Sequence, residues 1–432
     1  MTPAPKRIVG FKKTDPSYYR VLLERQSSKH GSGINFERKS SKKNFSSFDL
    51  FCELDTWDAD MTKNLEPAFL RERSRVVEIV GTQGLIFTLT SCGLCVAFDI
   101  EKKARICLLN ITSGEVVRSL FFNKANNHLI TVSVYREDKF SSLKCRTTHL
   151  DSIRRGQPEH GVPLFATESL HWPGFVEFDD VNQKILTFSA TNRVFKIWDM
   201  INYRPLYALN DPNISEIKIS PGIMLLIYNR QSSSIPLRIL SIEDGTVLKS
   251  FTHMLHRGKG VDFIEQFNEK LLIKQQDENL RIVDVQDGTV VEVDKSVFPT
   301  PSAFIFLYEN QLFLTFKHHL VQVWNFKGHL VSSFEDHRLW YSGPSTCSNT
   351  SNIAINSKQD TIISYCLDGD NASGGAINVS SILSGKLLAR IKPKAKSNGV
   401  DAVHGITALF YDEERNEIYT GNRSGVVHVW NC

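Results

Sequence analysis

Apolar and polar residues alternate with a period of two through most of the chain, in short runs rich in Val, Ile, Phe and Thr. Successive side chains of a pleated strand point to opposite faces, so this pattern predicts strands. The runs recur in a fixed frame. Lys184–Met200 and Glu417–Cys432 each hold a β-rich run, a short polar turn and an alternating strand ending in Trp-Asp or Trp-Asn. Gly84–Ile100, Leu271–Val285 and Leu312–Phe326 fit the same frame. Weaker copies end at Leu240 and Ser380, and the poorest lies near Thr148. The positions equivalent to the closing Trp are 98, 148, 198, 240, 283, 324, 380 and 430.

After most copies comes a turn and one more strand, as in Asp244–Phe251, Asp287–Val293 and Ser384–Ile391. Gly after Asp or Ser supplies the positive φ that a tight hairpin requires. An upstream strand such as Gly405–Tyr411 completes four antiparallel strands per unit. A lone unit of this kind exposes both faces of its sheet, so units must stack, and closing the stack into a ring removes its ends.

These units resemble WD40 repeats, over roughly residues 74–432. The resemblance implies an all-β propeller of eight candidate blades, or seven if the second copy is an insertion. The family's hairpin Asp is matched by Asp277 and replaced by Asn192, Ser424 or His318 in other copies, and Phe98, Leu240, Val283 and Ser380 stand where Trp is usual. The chain stops after the third strand of its last unit, so the missing strand is expected from upstream, and Phe48–Asp55 alternates suitably. The division is then an arm over 1–47 and a propeller over 48–432, with 56–73 crossing over and a helical turn or two at 65–73.

Charge sharpens the arm. Residues 1–48 hold eleven Lys or Arg against three acids, a net +8, whereas the whole chain carries only +4. A short helix over Ser17–Gln26 and a Ser, Lys and Gly-rich linker around Gly31–Ser47 are expected within it. The cluster Arg38, Lys39, Lys42 and Lys43 suits a nuclear import signal or a nucleic-acid contact. The longest apolar runs, such as Gly222–Tyr228, fall far short of the ~20 residues that cross a bilayer. With eight scattered cysteines and no small-domain framework, the chain is expected to be intracellular, in nucleus or cytoplasm, with reduced thiols and no membrane association.

Candidate chemistry is sparse. Cys92-Gly-Leu-Cys95 falls on a turn between strands, not at a helix N-terminus, so Gly93 is expected to make the turn and Cys95 to pack between blades. His318-His319 and His253-x-x-His256 lack acidic or thiol companions nearby in sequence. No G-x-S-x-G, H-E-x-x-H or P-loop pattern occurs. No catalytic residue, metal or cofactor is therefore expected. What remains is surface. Three long connections are expected on one face: 253–260, 335–349 and 392–401. They carry the candidate partner contacts His256, Arg257, Lys259, Arg338, Trp340, Tyr341, Lys392, Lys394 and Lys396. Arg, Trp and Tyr dominate binding hot spots because they desolvate a large area and keep a directional donor. The expected function is a non-enzymatic scaffold or adaptor for acidic or phosphorylated protein partners. Two alternatives stand beside it: a substrate receptor of a cullin-RING ubiquitin ligase, and a subunit of an RNA- or DNA-associated complex that uses the basic arm.

Overall fold

Strand β1 (Asp49–Asp55) hydrogen-bonds antiparallel to the last strand of the chain, β32 (Val426–Asn431), with Asp49 opposite Asn431 and Asp55 opposite Val426. The segment nominated from its alternation thus supplies the outer strand of the final sheet, whose order is β1-β32-β31-β30 with β30 at Ile406–Asp412 and β31 at Glu417–Asn422. The computed structural model describes residues 45–229, 235–251, 255, 258–317, 320–335, 353–367, 375–392 and 401–432. The helix expected in the arm and the basic cluster at 38–43 lie outside these residues.

Among the described residues the strands form eight four-stranded antiparallel sheets. Blade 1 holds β2 (Val76–Thr82), β3 (Leu85–Thr90), β4 (Cys95–Asp99) and β5 (Ala104–Leu108). Blade 2 holds β6 (Glu115–Asn123), β7 (His128–Tyr135), β8 (Lys144–His149) and β9 (Val162–Leu164). Blade 3 runs β10 (Phe175–Asp179), β11 (Lys184–Ser189), β12 (Val194–Asp199) and β13 (Pro205–Leu209). Blade 4 runs β14 (Ile214–Ser220), β15 (Ile223–Tyr228), β16 (Leu237–Ser241) and β17 (Val247–Phe251). Blade 5 is β18 (Val261–Phe267), β19 (Lys270–Gln275), β20 (Leu280–Asp284) and β21 (Val290–Val293). Blade 6 is β22 (Ala303–Leu307), β23 (Leu312–Lys317), β24 (Leu320–Asn325) and β25 (Leu330–Phe334). Blade 7 is β26 (Ile353–Ile355), β27 (Thr361–Leu367), β28 (Gly375–Ser381) and β29 (Leu387–Ile391). First strands meet first strands: β2 packs on β6 and on β30, β14 on β18, and β26 on β30. The fold is an eight-bladed β-propeller.

All eight copies read from the sequence occupy one register. Phe98 pairs with Ile86, Thr148 with Leu129, Trp198 with Ile185 and Leu240 with Met224. Val283 pairs with Leu271, Trp324 with Phe313, Ser380 with Ile362 and Trp430 with Ile418. The second copy is therefore a true blade, and the seven-blade alternative falls. That blade is hard to recognise because a helix, α2 (Leu150–Arg154), and a 3₁₀ turn at Pro158–His160 interrupt it before a three-residue outer strand.

The core lies between blades. One cluster joins Phe263 and Phe267 of blade 5, Phe313 and Trp324 of blade 6, and Ile353 and Ile362 of blade 7. Another joins Leu54, Tyr419 and Val427 of blade 8 to Val76, Val96 and Phe98 of blade 1. Full burial of each such side chain stabilises by roughly 1.5–3 kcal/mol, so neighbouring blades hold one another. Three tryptophans also have their indole N–H satisfied inside. Trp198 donates to Thr187 at 2.9 Å, Trp324 to Thr315 at 3.1 Å and Trp430 to Thr420 at 2.9 Å.

Polar staples cross most seams on the face that carries the turns between first and second strands. The Gln83 side chain donates to the Asn127 side-chain amide oxygen at 3.0 Å, and the Asn123 side chain to the Met200 backbone carbonyl at 2.7 Å. The Gly222 amide donates to Asn182 at 2.7 Å, and the Asn268 amide to Ser220 at 2.9 Å. The Glu309 amide donates to Gln359 at 2.9 Å, and the Ser357 amide to Glu413 at 2.7 Å. Between blades 5 and 6 the link is aromatic: Phe267 stacks on Tyr308 and Phe326 at centroid distances of 4.6 and 4.5 Å. These links tie the ring together on that face and leave the opposite one to the long connections.

Candidate partner-binding face

The opposite face carries the hairpins between second and third strands and the connections from blade to blade. Of the contacts expected there, Arg338, Trp340, Tyr341, His256, Arg257, Lys394 and Lys396 lie outside the described residues. Lys259 is described and forms an ion pair with Glu278, and Lys392 is exposed after β29.

A built surface stands elsewhere on this face, over blades 8, 1, 2 and 3. The crossover from β1 to β2 starts at Asp58, whose carboxylate caps α1 (Ala59–Thr62) by accepting from the Asp60 and Met61 amides. The Met61 amide first, then Asp60 and the Arg105 guanidinium, hold the Asp58 carboxyl below its ordinary range. The expected helical turn at 65–73 is a 3₁₀ turn at Ala68–Arg71, with Leu65 and Leu70 buried against blade 1. The crossover then reaches its neighbours. The Glu66 amide donates to the Ser113 carbonyl at 3.0 Å, and the Glu66 carboxylate takes Arg136 at 2.6 Å.

Arg136 opens the hairpin loop of blade 2. Its amide donates to the Gly114 carbonyl at 3.0 Å, and the loop turns through Lys139 and Phe140, both with left-handed φ, 56° and 58°. Asp138 accepts from the Ser141 amide and the Ser142 hydroxyl and fixes the loop's end. The connection from blade 2 to blade 3 then lies along it. Leu143 donates to Leu170 at 3.1 Å, Trp172 donates to Ser141 at 3.0 Å, and Ser142 bridges His171. The Ser169 hydroxyl meets Thr191 of the blade 3 hairpin at 3.3 Å, and Glu168, with its side chain only 5% exposed, pairs with Lys196 at 2.7 Å.

The result is a ridge of interlocked loops. On it Trp172 is 77% exposed, the most exposed large apolar residue among those described. The sequence reading passed over this residue, because the segment before it shows no alternation. The signal available was a Trp followed directly by Pro173 and Gly174, which marks a loop carrying an aromatic.

Beneath the ridge, blade 2 holds a buried ion pair. Arg146 and Glu115 lie 3.6 Å apart with side chains 8% and 1% exposed. Arg146 also donates to the Pro158 and Leu109 carbonyls at 2.6 Å each, while Glu115 accepts from Ser133 and from the Ile111 amide at 2.7 Å each. Burial, and then the Glu115 charge, push the Tyr135 hydroxyl far above its ordinary range. The pair fastens the connection before blade 2 to the insertion within it, and so supports the ridge.

Three thiols of blades 1 and 2 are buried among the strands. Gly93 makes the expected turn at φ 95°, and Cys95 is buried between blades 1 and 2, where burial raises its thiol well above the usual range. Burial likewise pushes Cys107 and Cys145 up to about 12. Among the described residues no three His, Cys, Asp or Glu side chains converge as a metal site, and no helix is long and apolar enough to cross a membrane.

A family model described as "Domain of unknown function (DUF7899)" matches residues 34–430. No curated protein matches the chain. Among solved structures, the chain is similar to a computationally designed protein, Ika8, at 17% identity and a TM-score of 0.49, covering 84% of this chain and 97% of that one. It is also similar to BamB from Moraxella catarrhalis, at 13% identity and a TM-score of 0.45, covering 90% of this chain and 98% of that one.

Proposed function

We propose that this chain, which belongs to the DUF7899 family, is a non-enzymatic interaction scaffold that holds protein partners on the loop face of its propeller. One observation carries the reading: a rigid, stapled ring presents an interlocked ridge of loops with an exposed tryptophan at its crest. Loops positioned by a rigid scaffold are where binding residues concentrate, because the scaffold removes the entropy cost of ordering them. The high pKa of the buried Cys95, Cys107 and Cys145 thiols, none of them poised as a nucleophile, supports a binding role over a catalytic one.

A WD40-type origin of the blades is supported by the indole–threonine hydrogen bonds of blades 3, 6 and 8, together with the Trp-Asp and Trp-Asn strand ends. An intracellular setting is supported by the seven described cysteines, which are all free. Affinity purification of the full chain from cell extract, with the mass of the eluted assembly measured, tests the scaffold reading. Protein partners in stoichiometric amount are expected. A chain that elutes alone at low and at physiological salt overturns it.

A further inference from the structure

We infer that the ridge around Trp172 is a docking surface for an acidic linear segment of a protein partner, anchored by an apolar side chain against the indole. The inference rests on the scaffold reading and names the surface and the kind of partner.

Three observations converge. Trp172 is 77% exposed, yet its backbone is pinned by the hydrogen bond to Ser141 and by the flanking Leu143–Leu170 and Ser142–His171 links. An aromatic ring held in place by its backbone offers a large contact area with little entropy left to lose on binding. Second, the loops pinned to it are rich in cations. Lys139 and Lys144 on the blade 2 hairpin and Arg193 on the blade 3 hairpin are all exposed. Of the neighbouring acids, Glu168 is paired with Lys196 and Glu66 with Arg136, whereas Asp138, hydrogen-bonded by the Ser141 amide and Ser142, keeps its charge. Glu137 is exposed. Three exposed cations, Lys139, Lys144 and Arg193, thus outnumber these two acids, an excess that favours a partner of opposite sign.

Third, the surface suits a peptide better than a nucleic acid. Sequence-independent strand binding uses several aromatics in series along a basic groove. Here one indole stands exposed on the ridge. Lys144 lies over the Tyr135 ring at 4.6 Å, a second aromatic that is already covered.

The test pans a displayed random-peptide library on the full-length chain, then measures the enriched peptides by fluorescence anisotropy. The proteins compared are wild type, Trp172→Ala, and the double variant Lys139→Glu with Arg193→Glu. The expected result is enrichment of acidic peptides with an apolar anchor. Their binding should weaken roughly tenfold or more in Trp172→Ala, as for a hot-spot aromatic. It should also weaken in the charge variant and as salt rises, while all three proteins keep the same melting temperature. The inference is overturned by no enrichment, by equal binding to wild type and Trp172→Ala, or by a single-stranded oligonucleotide that binds at Trp172 more tightly than the peptides. Parallel capture from extract separates the two claims. If wild type and Trp172→Ala retain the same stoichiometric partners, the Trp172 surface is refuted and the scaffold reading stands. If wild type retains none, the scaffold reading itself fails.

Discussion

Gly421 of β31 lies against Val76 of β2 so closely that a β-carbon on the glycine would fall 2.5 Å from the Val76 Cβ. This contact is the seam at which the last blade meets the first. The Thr407 hydroxyl reinforces it by donating to the Val76 carbonyl at 2.6 Å, and Gly81 meets the Phe410 ring just as closely. Because the added atom meets a β-branched side chain at its stem, the strands themselves would have to part. Gly421→Ala should therefore cost about 1–3 kcal/mol, as overpacking does. Chemical denaturation beside wild type checks this, and an unchanged midpoint would show that the seam is looser than described.

The Arg146–Glu115 pair makes a second prediction. Removing one member leaves the other charged and buried, which costs about 3–5 kcal/mol. Arg146→Met and Glu115→Leu should each destabilise by that order, and the double variant should cost less than the sum of the two. A double-mutant cycle in denaturant measures the coupling. Simple additivity would mean that the two side chains act separately.

Threonine hydroxyls inside the blades give a third. Thr420→Val keeps the shape but leaves the Trp430 indole N–H without its acceptor in a fully buried site. The expected loss is about 1–3 kcal/mol, the penalty of an unsatisfied buried donor. Thr315→Val beneath Trp324 should behave alike, since its geometry is nearly the same.

His128 and His149 face each other on β7 and β8 with ring centroids 5.0 Å apart. Burial, partly offset by the Asn126 carbonyl and aided by His149, holds His128 below its ordinary value. A depressed folded pKa means that the unfolded chain takes up the proton first. This contribution is fully present above the unfolded value of about 6.5 and is lost as the pH falls through the folded value. The melting temperature of wild type should thus fall more steeply than that of His128→Gln between neutral pH and about pH 5. Parallel profiles would contradict this.

Removing residues 1–55 deletes β1 and the buried Phe48, and it leaves β32 as an uncovered edge. An exposed edge strand pairs with other chains. The truncated protein should associate or aggregate on size-exclusion chromatography, and a synthetic peptide spanning 45–55 should restore a single monomeric peak. A monodisperse truncated protein would show that the ring closes without its donated strand.

Much of the ring is legible in the sequence, because a strand repeat writes its register into the chain. The alternation around Trp198, Trp324 and Trp430 placed the third strand of three blades. Spacing then found Phe98, Leu240, Val283 and even Ser380 in the same slot. Blade 2 was faint because Thr148 stands in the slot and α2 breaks the outer hairpin. The loop face was hardly legible. Trp172 reads like any loop aromatic until its backbone partners, Ser141 and the 142–171 bridge, show that it is held outward. Nor does spacing reveal that Glu66 will meet Arg136, since that contact depends on how the crossover lies over two blades.

The meeting of Asp49 with Asn431 has one more outcome. The first strand of the ring and the last lie side by side in a single sheet, so, once the residues ahead of Phe48 are removed, a short linker would join Asn431 to Asp49. Circular permutation tends to succeed where ends lie this near each other and the new break falls at an exposed loop tip. A gene that began at the turn after Gly288 and ran round to it again would encode the same circle, with the donated strand now continuous and the break moved to the opposite flank.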